Sequence, residues 1–145
     1  MRALQIVVEP HAPDHRKQVV QDGLASYNVA VTGLEDYHPL SIFLKDAHGE
    51  ILVGVLGHIW GHWLHIRILW LAEPVRGHGY GRQLLVAAET YARERGCRHV
   101  KLETFSFQAR PFYEKLGYEV FATLEDCPVG HREYFLRKPL AEFPE

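Results

Sequence analysis

The chain has 145 residues, 47% of them apolar, with 16 Lys and Arg set against 18 Asp and Glu for a formal net charge of −2. That length holds one domain with an ordinary core, and scattered basic residues at a pI near 6.5 leave no electrostatic footprint for nucleic acid. No apolar run approaches the roughly 20 residues of a membrane span, and no signal-peptide apolar segment opens the chain. The expectation is a single cytoplasmic domain over residues 1–145, without membrane or nucleic-acid partners. Cys97 and Cys127 lack metal-like spacing and read as two reduced thiols.

In chain order, Leu4 to Glu9 reads as a strand, and Pro13-Asp14 resembles a helix start, the helix running to about Tyr27. Val29 to Pro39 mixes β-branched residues with Gly33 and Pro39 and leaves its state open. Ser41 to Lys45 predicts a strand, Asp46 to Glu50 a turn, and Ile51 to Trp60 and Trp63 to Leu71 two further strands. After a glycine-rich stretch, Leu84, Leu85, Ala88, Tyr91 and Ala92 recur at helical spacing until Gly96. A strand at about His99 to Thr104 follows, then a short helix at Ala109 to Leu116 stopped by Gly117. Two closing strands, Tyr118 to Leu124 and Arg132 to Leu136, complete a mixed α/β pattern.

Gly61-His62 has the Gly-x form of a two-residue type II′ hairpin loop, which sets the register of its flanking strands. Trp60 then opposes Trp63, Ile59 opposes Leu64, His58 opposes His65 and Leu56 opposes Arg67. One face collects Val55, Gly57, Ile59, Leu64, Ile66 and Ile68, an aliphatic core surface. The other collects Leu56, His58, Trp60, Trp63, His65 and Arg67, the composition of a cleft wall for a cation or an aromatic amine, or of a hairpin tip in solvent. His58, His62 and His65 do not suit a metal: strand geometry brings only His58 and His65 together, with no Cys or carboxylate adjacent in sequence.

Arg76-Gly77-His78-Gly79-Tyr80-Gly81 stands between a strand and a helix, with Arg82 following. Alternate glycines let backbone N–H groups approach an anion at the positive end of a helix. The P-loop ending Gly-Lys-Ser/Thr is absent, since Arg82-Gln83 follows Gly81, and the dinucleotide fingerprint fails on spacing and position. What remains is Arg-x-x-Gly-x-Gly, formed by Arg76, Gly79 and Gly81.

That pattern resembles the acetyl-CoA pyrophosphate loop of the GNAT superfamily of N-acetyltransferases. A second segment, Ala109-Arg110-Pro111-Phe112-Tyr113-Glu114-Lys115-Leu116-Gly117-Tyr118, is similar to the family's Ala-x-x-x-Tyr-Glu-Lys-Leu-Gly-Phe signature, in the family's order. The likeness covers roughly Ile51 to Leu140. It implies a mixed, mostly antiparallel sheet of about six or seven strands flanked by about four helices and splayed between the fourth and fifth strands.

The same resemblance implies acetyl-CoA as co-substrate, no metal, and transfer to the amine of a small molecule by direct attack in a ternary complex. A peptide or protein amine is an alternative acceptor, and a non-catalytic CoA-binding sensor an alternative function. Leu69, Trp70 and Leu71 map onto the strand whose backbone holds the acetyl group and pantetheine arm. Arg76, Gly77, His78, Gly79, Tyr80, Gly81 and Arg82 map onto the pyrophosphate turn. Tyr113 maps onto the phenol that protonates the departing sulfur, and Ser106 stands where relatives carry an Asn contact. The proton acceptor is His65, where some relatives place a glutamate, or Glu103 on the next strand, with a water chain or His58 also able to serve; a structural contact between the two histidines is the other reading. A homodimer is compatible with this class.

Overall fold

The computed structural model of the chain describes residues 2–141, which form two compact units, one ending at Glu35 and the other beginning at Asp36.

The first unit contains helix α1, Asp14–Thr32. Pro13 precedes it at φ −65° and ψ 155°, the extended geometry that the pyrrolidine ring favours, and Asp14 complements the positive helix end. The helix outruns the expected stop near Tyr27 because a turn containing Val29, Val31 and Thr32 costs only tenths of a kcal/mol per residue in propensity. It ends where Gly33 takes φ 72° and donates its N–H to the Val29 carbonyl at 2.7 Å. The strand expected over Leu4 to Glu9 is not formed. Leu4, Ile6, Val7 and Val8 are exposed, since an alternating apolar pattern makes a strand only where a partner edge accepts its hydrogen bonds.

The second unit is a six-stranded mixed sheet. Its strands are β1 His38–Lys45, β2 Ile51–Trp60, β3 Trp63–Leu71, β4 His99–Phe105, β5 Glu119–Glu125 and β6 Arg132–Pro139, in the spatial order β1-β2-β3-β4-β6-β5. Every adjacent pair is antiparallel except β3 with β4. Strand β1 starts three residues earlier than expected and includes Pro39, which is tolerated because β1 is an edge strand. Helix α2, Tyr80–Glu94, leaves β3 through a short 3-10 turn at Glu73–Val75, and helix α3, Arg110–Lys115, joins β4 to β5. The described residues thus hold three α-helices rather than about four.

Helix α2 buries Leu84, Leu85, Ala88 and Ala92 along one stripe. Opposite them lie Val53, Val55, Ile59, Leu64, Ile66, Val100, Leu102 and Leu136, each at most 2% exposed. Full burial of a Leu or Ile stabilises by about 1.5–3 kcal/mol, so this layer carries the fold. A polar tie crosses it. Glu89, itself buried, accepts a hydrogen bond from the Tyr118 hydroxyl at 2.6 Å and an ion pair from Lys138 Nζ at 3.0 Å, fixing α2 to the strands that follow α3.

Two local expectations are corrected. The hairpin loop has positive φ at both Gly61 (60°) and His62 (69°), which is type I′ rather than II′. The two loop types close the same register, so Trp60↔Trp63, Ile59↔Leu64 and His58↔His65 form as expected. Beyond them Leu56 faces Ile68 instead of Arg67, because a β-bulge lies between Leu56 and Gly57 and Arg67 is the extra residue. The slip carries Ile68 off the core face, where it is 53% exposed, and packs Leu69 against the core in its place.

Candidate active site

Strands β3 and β4 pair only from Trp63↔His99 to Ile66↔Leu102. Past that point they diverge, as expected between the fourth and fifth strands of the family's count, which are β3 and β4 here because the Leu4 to Glu9 strand is missing. The bulge at Arg67 falls where the divergence begins, and bulges bend the strand that carries them. Leu69, Trp70 and Leu71 keep their pairing with β2 on one side, so their other backbone edge faces a cleft of about 660 Å³. Leu69, Trp70, Leu71, Arg76, Glu103 and Tyr113 all line this cleft.

The glycine turn runs on from Arg76. Gly77 and Gly79 adopt φ 79° and 83°, backbone that side chains with a Cβ rarely take, and a Cβ built on either meets nothing within 4 Å. Gly81 serves differently, since its Cβ would lie 3.4 Å from Leu71 and 3.5 Å from Phe112, so its smallness lets α2 seat closely on β3 and α3. Among the described residues, no protein acceptor takes the amides of Gly77, His78, Gly79, Tyr80, Gly81 or Arg82, and the first amide of this region to be bonded is Gln83, to the Gly79 carbonyl at 3.1 Å. Arg76 donates Nε to the Leu71 carbonyl at 3.1 Å, tying the turn to the end of β3. His78 and Tyr80 stand with ring centroids 6.3 Å apart, and Arg82 is exposed on the first turn of α2.

Tyr113 lies on α3 with 6% of its surface exposed. Its ring meets Phe112 and Tyr118 edge-on at 5.2 Å and 5.9 Å, and burial pushes its phenol up to about 12. The hydroxyl has no hydrogen-bond partner among the described residues. This side chain is a protonated phenol at neutral pH on the wall of the cleft.

His65 and Glu103, alternatives in the sequence, are joined. His65 Nε2 lies 2.9 Å and 3.1 Å from the two Glu103 carboxylate oxygens, a pairing that fixes the N–H on Nε2 as the donor. His58 stands behind them, its ring edge-on to His65 at 5.2 Å and stacked on Tyr37 at 5.2 Å. Burial, then the neighbouring His65 and the cations Arg67 and Lys101, lower the His58 pKa below that of a free imidazole, so the ring is neutral at pH 7. Among the described residues no three His, Cys, Asp or Glu side chains form a cluster able to hold a metal ion, and both thiols are free.

Ser106 does not join the cleft. Its N–H donates to the Arg132 carbonyl at 2.8 Å, and its Oγ accepts the Arg132 N–H at 3.0 Å, binding it to the start of β6 in a separate depression. Gln108 instead lines the cleft. Its Oε1 accepts the Phe105 N–H at 2.8 Å and the Thr104 hydroxyl at 3.3 Å, while Thr104 Oγ1 accepts the Ala109 N–H at 3.4 Å. These bonds set the angle between β4 and α3, and thereby Tyr113. No sequence pattern marks Gln108, because a glutamine near a helix start is common for ordinary reasons.

Residues 7–118 match the family model described as the acetyltransferase (GNAT) family. The chain is 37% identical over 113 residues to the blasticidin-S acetyltransferase of Streptomyces morookaense, an overlap of 75% of this chain and 83% of that one. A crystal structure of an acetyltransferase from Bacillus cereus superposes with a TM-score of 0.79 at 35% identity, covering 92% of this chain and 98% of that one. At 18% identity and a TM-score of 0.62, a Bacillus anthracis structure described as a streptothricin acetyltransferase, solved with acetyl coenzyme A, shares the fold over 71% of this chain and 63% of its own. A family match across most of the chain, together with the splayed sheet and glycine turn, establishes that this chain belongs to the GNAT acetyltransferase family.

Proposed function

We propose that the chain is an acetyl-CoA-dependent N-acetyltransferase acting on an amine of a small molecule by direct attack in a ternary complex. The carrying observation is the row of unbonded amides from Gly77 to Arg82 at the positive end of α2, beside Arg76 and the cleft. Such a turn suits a pyrophosphate. The neighbour bound to acetyl coenzyme A and the antibiotic acetyltransferase relative support the donor and the size class of the acceptor. The family match spans both compact units and supports reading residues 1–145 as one N-acetyltransferase domain.

The amine arrives mostly as an ammonium ion, with a pKa near that of lysine, about 10.4. Glu103 receives its proton at the cleft, and the His65 N–H orients the carboxylate. The amine nitrogen then attacks the thioester carbon, a C–N bond forms, the C–S bond breaks, and the second proton on the nitrogen passes to water as the amide forms. Leu69, Trp70 and Leu71 present backbone edge to the acetyl group and pantetheine arm. Tyr113 gives its phenolic proton to the departing sulfur and regains one from solvent.

Calorimetry with acetyl-CoA tests the turn. Gly79→Asp puts a carboxylate into open space beside the amides and is expected to weaken binding at least tenfold, about 1.4 kcal/mol; equal affinity for the variant and the parent removes the turn from the site. Thiol release with an amine panel tests transfer. Binding without release favours the CoA-binding sensor.

A further inference from the structure

A second pocket, of about 390 Å³, opens on the sheet face that carries His65, and nothing in the acetyl-transfer reading uses it. His65 lines this pocket while its partner Glu103 lines the cleft, so the pair forms a shared wall. The volume lies in the range of small-molecule sites, about 300–1,000 Å³.

Its chemistry is one-sided. Trp60, Trp63 and Phe121 supply flat apolar walls, and Trp63 is braced by stacking on His99 at 4.5 Å. Across the floor, β-pairing sets His58, His65, Lys101 and Arg137 in one row of Cα partners, with Glu119 next in the row beyond the pocket lining. Lys101 and Arg137 are direct neighbours in that row, an arrangement of like charges that destabilises a sheet. Glu119 answers Arg137 at 3.0 Å. Lys101 makes no ion pair among the described residues, and no carboxylate lines the pocket. The positive neighbours that depress His58 report the same local field. A cation, which the two tryptophans alone would suggest, is therefore the wrong ligand for this floor.

We propose that this second pocket binds the far end of the acceptor, an aromatic ring carrying an anionic group, carboxylate or phosphate, with Lys101 as the counter-ion. Only the word acceptor rests on the acetyl-transfer reading; the ligand class rests on the pocket alone.

Titration calorimetry with phenylpropionate, phenyl phosphate and phenethylamine tests the ligand class. An anionic probe is expected to bind at least tenfold more tightly than phenethylamine, with Lys101→Gln removing most of that preference and Lys101→Arg restoring it. The tighter of the two anions identifies the group. Equal or tighter binding of phenethylamine, no binding by any probe, or anion affinity untouched by Lys101→Gln overturns the proposal. The acceptor role is read separately: with acetyl-CoA, aminomethylbenzoate should show a higher kcat/KM than benzylamine, and Lys101→Gln should erase the difference. Parity between the two amines in the parent protein refutes the acceptor role. Anion binding in a protein that takes up no acetyl-CoA overturns the transfer reading and leaves the ligand class standing.

Discussion

Tyr113 is a buried phenol packed against Phe112 and Tyr118, its hydroxyl without a hydrogen-bond partner among the described residues, and in the proposed mechanism it is a proton donor that does not titrate in the working range. Because burial raises its pKa to about 12, the acid form persists as pH rises. Its loss cannot produce an alkaline fall in kcat below roughly pH 10. Tyr113→Phe is expected to retain acetyl-CoA binding while lowering kcat by about 10²–10⁴-fold, measured by thiol release; unchanged turnover with a good amine takes the role away. Glu103 and His65 are hydrogen-bonded to each other, so in the proposed mechanism their effects should not add. Glu103→Gln is expected to cost at least tenfold in kcat/KM, about 1.4 kcal/mol, His65→Gln less, and the double variant no more than Glu103→Gln alone. Additive losses would show two independent functions.

Strand β3 shows how far residue patterns reach at the level of an element. Its ends and the first three partners of the hairpin follow from alternation and loop length, because side-chain period and register are local properties. The bulge does not follow from them. Ile and Leu occur on both sides of Arg67, so alternation continues plausibly in either register, and the choice is made by packing from α2. Gly57 is the one letter that hints at it: a Cβ there would lie 2.2 Å from the His65 carbonyl oxygen, so the strands approach at the bulge more closely than any side chain allows. Gly57→Ala is expected to destabilise by about 3 kcal/mol, read as a lowered urea midpoint with an unchanged slope; a midpoint within error of the parent excludes the close approach. Glu89 is a parallel case, an apolar-stripe position of α2 whose partners Tyr118 and Lys138 are distant in sequence. Glu89→Ala leaves a mostly buried ammonium and a buried phenol unpaired and should cost about 3–5 kcal/mol.

Over the molecule as a whole, the fold class and the glycine turn were legible because each depends on short spacings. The missing first strand, the helix count and the position of Ser106 were not, since each is decided by which distant edge accepts its hydrogen bonds. The cleft lies where one parallel pair of strands parts, between the amide-rich turn and the Tyr113 helix. If acetyl-CoA occupies that place, it stabilises the folded state by about 2.7 kcal/mol at a hundredfold excess over Kd, a rise in Tm on the order of 10 °C. NAD and ATP should give smaller shifts at equal concentration. The most direct measurement is an amide NMR titration with acetyl-CoA. The N–H signals of Gly77, His78, Gly79 and Gly81 are predicted to move most and to saturate together; saturable shifts confined to other parts of the chain, with these four unmoved, would contradict the account.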